Sequence, residues 1–228
     1  MRPEDNKNLA ATPLFASLTA EQFAHATQGA VVHPMPRGAL LCSQGEQPEF
    51  LHVILSGRVA LVAANARNEE TVVEFFEDGD AFIAAAVMLD APYLMSARVL
   101  RDARVALLPA AKFRADLAAI PALSLAMAMQ FAGYWRRLVR QIKDLKLRSS
   151  AERLAVFLIA LAGRDTGSTT VTLPQERKLI AAHVGITPES LSRAFISLRP
   201  LGVSGRGRTV TIADIARLRT FCGADDPA

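Results

Sequence analysis

Residues 31–109 alternate short β-branched and aromatic runs with Gly, Pro, Asp and Asn. Residues 40–42, 50–55, 59–63, 71–76, 96–100 and 105–108 read as strands, with Gly38, Gly45, Gly57 and Gly79 at the turns between them. Many short strands at this spacing predict a small antiparallel barrel or roll. Ahead of them, residues 1–29 read as a frayed start followed by short helices, with a capping pattern from Thr19 to Gln22. Beyond the strands the period changes. Residues 111–118 form a short helix, and 121–147 a long one. In the long helix Ser124, Ala128, Phe131, Trp135, Leu138, Ile142 and Leu145 step by 4, 3, 4, 3, 4, 3, a heptad seam. Left on a monomer, that seam would be a large exposed apolar stripe, so it predicts a homodimer.

A third texture follows the Ser149-Ser150 break. Residues 151–162 carry Leu154, Phe157, Leu158 and Leu161 on one helical face, and 170–173 read as a short strand. Pro174 suits the first turn of a helix, Leu179, Ile180 and Ala182 continue it, and Gly185 can close it in the left-handed conformation. Thr187 then caps a second helix with Pro188 at its first position, and Leu191, Phe195 and Leu198 form its apolar stripe. Two short helices about a glycine turn make a helix-turn-helix. Residues 202–212 form a hairpin wing, and 213–221 a closing helix.

The wet side of that second helix holds the candidate chemistry. Glu189, Ser192, Arg193 and Ser197 point away from the stripe. A guanidinium offers two donors to guanine O6 and N7, a carboxylate accepts from cytosine N4, and a hydroxyl serves several bases. The candidate DNA-binding residues are Thr187, Glu189, Ser190, Ser192, Arg193, Arg199, and in the wing Arg206 and Arg208, which suit phosphates. Charge agrees with this assignment. Residues 1–145 hold 14 Lys and Arg against 15 Asp and Glu, whereas 146–228 hold 12 against 7. The basic excess thus lies with the helix-turn-helix, as phosphate contact requires.

Other classes fare less well. Cys42 and Cys222 have no metal-like spacing and suggest a reducing compartment. The polar start MRPEDNKNLA is unlike a signal peptide, and no uncharged apolar run reaches membrane-spanning length, so a cytoplasmic protein without membrane contact is expected. No nucleophile elbow, phosphate loop or ordered catalytic set occurs, which points away from an enzyme. A regulatory module that acts on a partner protein, keeping its helix-turn-helix only as architecture, is the competing class.

The stretch from Leu40 to Val62, LLCSQGEQPEFLHVILSGRVALV, together with residues 77–82, resembles the cyclic-nucleotide-binding roll. Next to the helix-turn-helix, it makes the chain resemble the CRP/FNR family of bacterial transcription regulators over almost its whole length. The implied fold is α+β: an N-terminal cyclic-nucleotide-binding-like β-roll (1–118), a long dimerisation helix (119–147) and a C-terminal winged helix-turn-helix (148–228). The implied dimer interface is Ala128, Phe131, Trp135, Leu138, Ile142 and Leu145. The implied partners are double-stranded DNA, a second copy and RNA polymerase. Glu189-Ser190-Leu191-Ser192-Arg193 is similar to the FNR-type reader, and Pro188 stands where CRP-type readers carry Arg, so the resemblance implies a site like TTGAT-N4-ATCAA.

The resemblance also constrains the effector. The family's cyclic AMP site needs a Glu and an Arg-Ser pair. Here Ala84 and Met95 occupy the Glu and Arg positions, and Arg98 has opposite strand parity from Met95, so no cyclic AMP binding is expected. Two cysteines, none before Cys42, do not suit the family's iron–sulfur sensors. Residues 140–146, 150–154, 174–184 and 187–193 are similar to the DNR/NnrR branch, which responds to nitric oxide and controls denitrification genes, in some members through haem. The resemblance then implies an effector pocket at Phe76, Phe82, Ala84, Met88 and Met95, apolar enough for a flat ligand or for a filled-in core. Of His25, His33, His52 and His183, His25 is the candidate haem ligand, because an N-terminal segment can move when gas binds.

Overall fold

The computed structural model describes residues 1–64, 70–173 and 177–223, with the side chains of Lys178 and Arg206 also outside the description. The chain divides into two compact units, 1–135 and 136–228. The boundary between the units falls within the long helix.

The first unit opens with α1 (Pro3–Ala10) and α2 (Ala20–Ala26). The start is not frayed. Asp5 of α1 is buried and takes a two-pronged ion pair from Arg104, Nε at 2.9 Å and Nη2 at 2.6 Å. Arg104 lies about a hundred residues away, so local sequence carries no sign of this anchor. The capping box is present, with Thr19 and Gln22 bonding each other's backbone N–H.

The strands are β1 (Val31–Met35), β2 (Leu40–Cys42), β3 (Phe50–Ala64), β4 (Glu70–Phe76), β5 (Ala81–Phe82) and β6 (Ser96–Pro109), with α3 (Ala84–Leu89) between the last two. They form one antiparallel sheet in the order β1-β6-β3-β4, with β2 added on β6 and β5 on β3. Two pairs of expected strands are each one long strand. Gly57 is not a turn between strands but the middle of a bulged bend in β3, at φ 115°, where the register against β6 shifts. A Cβ there would lie 2.4 Å from Ala103 Cβ, so only glycine lets the strands approach this closely.

Alternation along β3 separates two cores. Leu51, Val53 and Leu55 face a cluster built with Leu9, Phe15, Phe113, Leu123 and Met127 of the helical layer. Ile54, Val59 and Leu61 face the roll interior, with Phe76, Phe82, Tyr93 and Val99. Helix α4 (Ala110–Ala119) follows, and α5 (Pro121–Leu147) turns from it by 110°. That bent pair is apolar enough to span a membrane only when taken together, and it buries Phe113, Leu123 and Met127 in the helical-layer core. Among the described residues no single helix is long and apolar enough to cross a membrane.

The second unit holds α6 (Ser150–Ala162), β7 (Thr169–Thr172), α7 (Arg177–Val184), α8 (Pro188–Leu198), β8 (Val203–Arg206), β9 (Thr209–Ile212) and α9 (Ile215–Cys222). Ser149 and Glu152 form the capping box that starts α6. The three strands pair as β7-β9-β8. The helices close on Leu154, Leu158, Ile180, Leu191, Leu198 and Leu218. Each fully buried leucine of this kind contributes about 1.5–3 kcal/mol. The expected helix start at Pro174 lies outside the described residues.

Candidate nucleic-acid interface and sensor core

The turn between α7 and α8 is tight because three groups hold it. Gly185 is left-handed at φ 69°, and its N–H and that of Ile186 bond back to Ala182 and Ala181. A Cβ on Gly185 would lie 2.5 Å from Leu145 Cδ2, so the glycine also gives room for the end of α5. Arg153 on α6 donates to the carbonyls of Val184 (2.9 Å) and Gly185 (3.2 Å), which satisfies the acceptor end of α7. Its role needed the fold, since its partners lie some thirty residues on.

Helix α8 starts at Thr187, whose hydroxyl accepts from Ser190 N–H. Leu191, Ala194 and Leu198 are buried and Phe195 half-buried, under Arg177, whose guanidinium lies 5.1 Å from the ring centroid. Glu189, Ser192, Arg193 and Ser197 are exposed on the opposite side. Their present partners are weak or local. Ser192 and Ser197 hydroxyls turn back to Pro188 and Arg193 carbonyls, and Arg193 Nη2 lies 3.3 Å from Ser190 Oγ. The Glu189 carboxyl is held below its ordinary value, first by its own backbone N–H, then by the Thr187 hydroxyl and the Arg193 charge. It is therefore an acceptor at neutral pH, as cytosine N4 would require. Half-buried Ser190 sits beneath this row. Ile196, 57% exposed, shares the outward face. It follows Glu189 and Arg193 at i+7 and i+3, so helical spacing puts this apolar residue on the same face as the polar candidates.

Arg199 is exposed just past the helix. Arg208 is exposed in the wing, and its Nε donates to the Leu173 carbonyl at 2.9 Å, which ties the wing to the chain before α7. The Arg206 side chain lies outside the described residues.

Along α5 the exposed large apolar positions are Leu125, Met129, Trp135, Leu138, Val139, Ile142, Leu145 and Leu147, with Trp135 at 69% exposure. Ala128 is exposed with them. The expected seam is corrected at two places. Phe131 packs on its own helical-layer core, and Ser124 donates to the Leu117 carbonyl, so both turn inward. The upper part of the stripe runs through Leu125 and Met129 instead.

The expected effector pocket does not gather as one lining. Phe76, Phe82 and Met95 belong to the roll core, Ala84 to the helical-layer core, and Met88 is 40% exposed. Inside the roll the rings touch one another: His52 and Phe82 at 5.2 Å between centroids, Phe82 and Phe76 at 5.6 Å, Phe76 and Tyr134 at 5.7 Å. Arg98 faces outward and makes two 2.7 Å bonds to Glu70, so it does not supply the cation missing at Met95.

A haem does not fit His25. Its imidazole is exposed, with Nε2 3.2 Å from Asp116 Oδ1, and Asp116 is itself held by Lys112 Nζ at 2.7 Å. That pair lies between α2 and α4, away from the roll interior. The imidazole that does face the roll interior is His52. It is 5% exposed, its Nδ1 has no hydrogen-bond partner, and burial pushes it down to about 4.

A family model described as "Cyclic nucleotide-binding domain" matches residues 32–119, and one described as "Crp-like helix-turn-helix domain" matches 152–221. A solved structure from Ruegeria pomeroyi, provisionally described as a cyclic nucleotide binding protein, is 32% identical, covers 99% of this chain and 100% of its own, and has a TM-score of 0.61. The CRP-like cAMP-activated global transcriptional regulator of Mycobacterium tuberculosis is 25% identical over 215 residues, 92% of this chain and 96% of its own length. DNR from Pseudomonas aeruginosa is 23% identical with a TM-score of 0.52, covering 97% of this chain and 99% of its own, a likeness of fold alone. Both domain models match in order and a relative at 32% identity matches end to end, so the chain belongs to the CRP/FNR family of transcription regulators.

Proposed function

We propose that the protein is a homodimeric, sequence-specific DNA-binding regulator that reads an FNR-type palindrome, TTGAT-N4-ATCAA, gated by a small effector in the roll. The observation that carries this is the outward face of α8. Glu189, Ser192 and Arg193 are exposed there, while Leu191, Ala194 and Leu198 anchor the helix from beneath. Arg193 serves a guanine and Glu189 a cytosine, and Arg199 and Arg208 serve phosphates. The exposed stripe of α5 supports pairing of two copies, which sets two readers about one helical turn, ~34 Å, apart. RNA polymerase is the expected partner on the promoter.

The Mycobacterium tuberculosis relative is cAMP-activated by name. For this chain we propose a neutral effector instead, because Ala84 and Met95 offer a phosphate no counter-charge and Arg98 is engaged with Glu70. A phosphate buried without a cation carries a large desolvation cost. The residue matches to the nitric-oxide-responsive branch support nitric oxide as the signal and denitrification genes as targets. If haem serves there, His25 does not hold it.

The test is binding of the native protein and Arg193→Ala to the palindrome and to scrambled DNA at one fixed salt concentration. Loss of a two-pronged base contact should weaken palindrome binding about 5–150-fold, with little change on scrambled DNA. Equal losses on both DNAs would refute base reading by Arg193.

A further inference from the structure

Two features of the first unit converge on α3. Ile83 and Asp90, which bracket it, are the only non-glycine residues at positive φ among the described residues, at 54° and 50°. A left-handed conformation crowds Cβ against the backbone, and a β-branched residue suffers most. Ile83 also provides no side-chain cap for the helix it starts. Such a conformation persists only where its surroundings enforce it. Here Arg114 of α4 donates to the Val87 carbonyl at 2.9 Å and pairs with Asp90 at 3.0 Å. Ala84 and Val87 are buried in the helical-layer core, whereas Ile83 and Ala86 pack on the roll core. The helix is wedged between both.

The second feature is Tyr134 on α5. Its hydroxyl donates to the Ala81 carbonyl at 2.6 Å, and its ring stands edge-on to Phe76. Phe76 in turn packs on Phe82. Ala81 and Phe82 are the whole of β5, and the next residue is Ile83. Tyr134 therefore holds the strand that ends at the strained residue. Its chain neighbour is Trp135, exposed in the apolar stripe.

We propose that α3 is a two-state element hinged at Ile83, and that Tyr134 is the positioning residue that passes its state to α5. The proposal rests on the reading of the chain as a roll-gated DNA-binding dimer. When Ile83 relaxes, β5 and the Ala81 carbonyl shift. The hydroxyl bond is directional, so α5 follows and Trp135 moves with it. A phenyl ring at position 134 keeps the contact with Phe76 but has no hydroxyl to hold the carbonyl.

A double-mutant cycle on the full chain, without any effector, tests this. Glycine tolerates the left-handed conformation, so Ile83→Gly removes the strain that drives position 83 out of it and shifts the two-state balance. Ile83→Gly should change palindrome affinity about five-fold or more in the native background and less than about two-fold in the Tyr134→Phe background. The emission of Trp135, the chain's one tryptophan, should show the same non-additivity. If Tyr134 were merely structural, Tyr134→Phe would lower the melting temperature equally with and without Ile83→Gly, and the two effects on affinity would be additive. Additive effects, or no effect of Ile83→Gly in either background, overturn the proposal. If the native protein does not bind the palindrome, the functional reading fails, and the Trp135 emission cycle still decides the coupling. If Tyr134→Phe does not fold, hydrogen exchange of residues 131–142 in Ile83→Gly decides it: altered exchange supports the coupling and unchanged exchange overturns it.

Discussion

Replacing His52 by leucine should remove a specific acid sensitivity of the roll. In the folded chain burial holds this imidazole at about 4, against an ordinary 6.5. Charging it in the fold therefore costs about 3 kcal/mol more than in the unfolded chain. The sign follows from proton counts. Between the two values the unfolded chain binds a proton that the folded chain refuses, so stability rises with pH across that window. The contribution is fully present above 6.5 and is lost as pH falls toward 4. From about pH 7.5 to about pH 5 the share due to His52 is about 2 kcal/mol. At neutral pH the substitution itself should range from nearly neutral to stabilising by about 2 kcal/mol. It removes a buried Nδ1 without a partner, a gain of about 1–3 kcal/mol, and gives up the ring contact with Phe82, a loss of about 0.5–1.5 kcal/mol. Native-state hydrogen exchange of the amides of residues 51–55, corrected for intrinsic rate at each pH, reads opening of the roll apart from the second unit. Buried carboxylates add their own acid dependence to both proteins, and the difference between the two isolates His52. Equal pH slopes in the native protein and His52→Leu would show that the imidazole is not desolvated as the structure places it.

Three more outcomes follow from the same geometry, beside those for Arg193 and for the Ile83–Tyr134 pair. Gly57→Ala should cost about 2–5 kcal/mol, since the added methyl meets Ala103 at 2.4 Å on a left-handed backbone. Gly38→Ala, also at positive φ but with open space around it, should cost only about 1 kcal/mol; urea titration of both variants measures the two costs, and equal costs would contradict the close crossing. Asp5→Asn should release α1, seen as faster hydrogen exchange of residues 3–10 at neutral pH. Because the hydrogen bonds of Arg104 hold the Asp5 carboxyl below its ordinary 3.8, the native protein should show the same release only in acid below that value, and unchanged exchange in the variant would disprove the anchor.

Local sequence determined much of this protein. The left-handed conformation at Gly185, the cap at Thr187 and the spacing of Leu191, Phe195 and Leu198 depend on neighbours within a few residues. So do the capping boxes at Thr19 and Ser149 and the period change from strands to the long helix. Short-range backbone chemistry is written in the chain itself, and it sufficed to place Glu189, Ser192 and Arg193 on one wet face. What only the tertiary structure decided involves partners far apart in sequence. Heptad spacing alone put Phe131 in the exposed seam, but the helical layer of its own unit claims that ring. Gly57 reads as a turn until Ala103 crosses it. His25 reads as a mobile ligand until Asp116 holds it, and His52 reads as one strand residue among many until its two sheet neighbours, Phe82 and Leu107, flank it. Periodicity states which way a side chain points, whereas the fold alone supplies what it meets there.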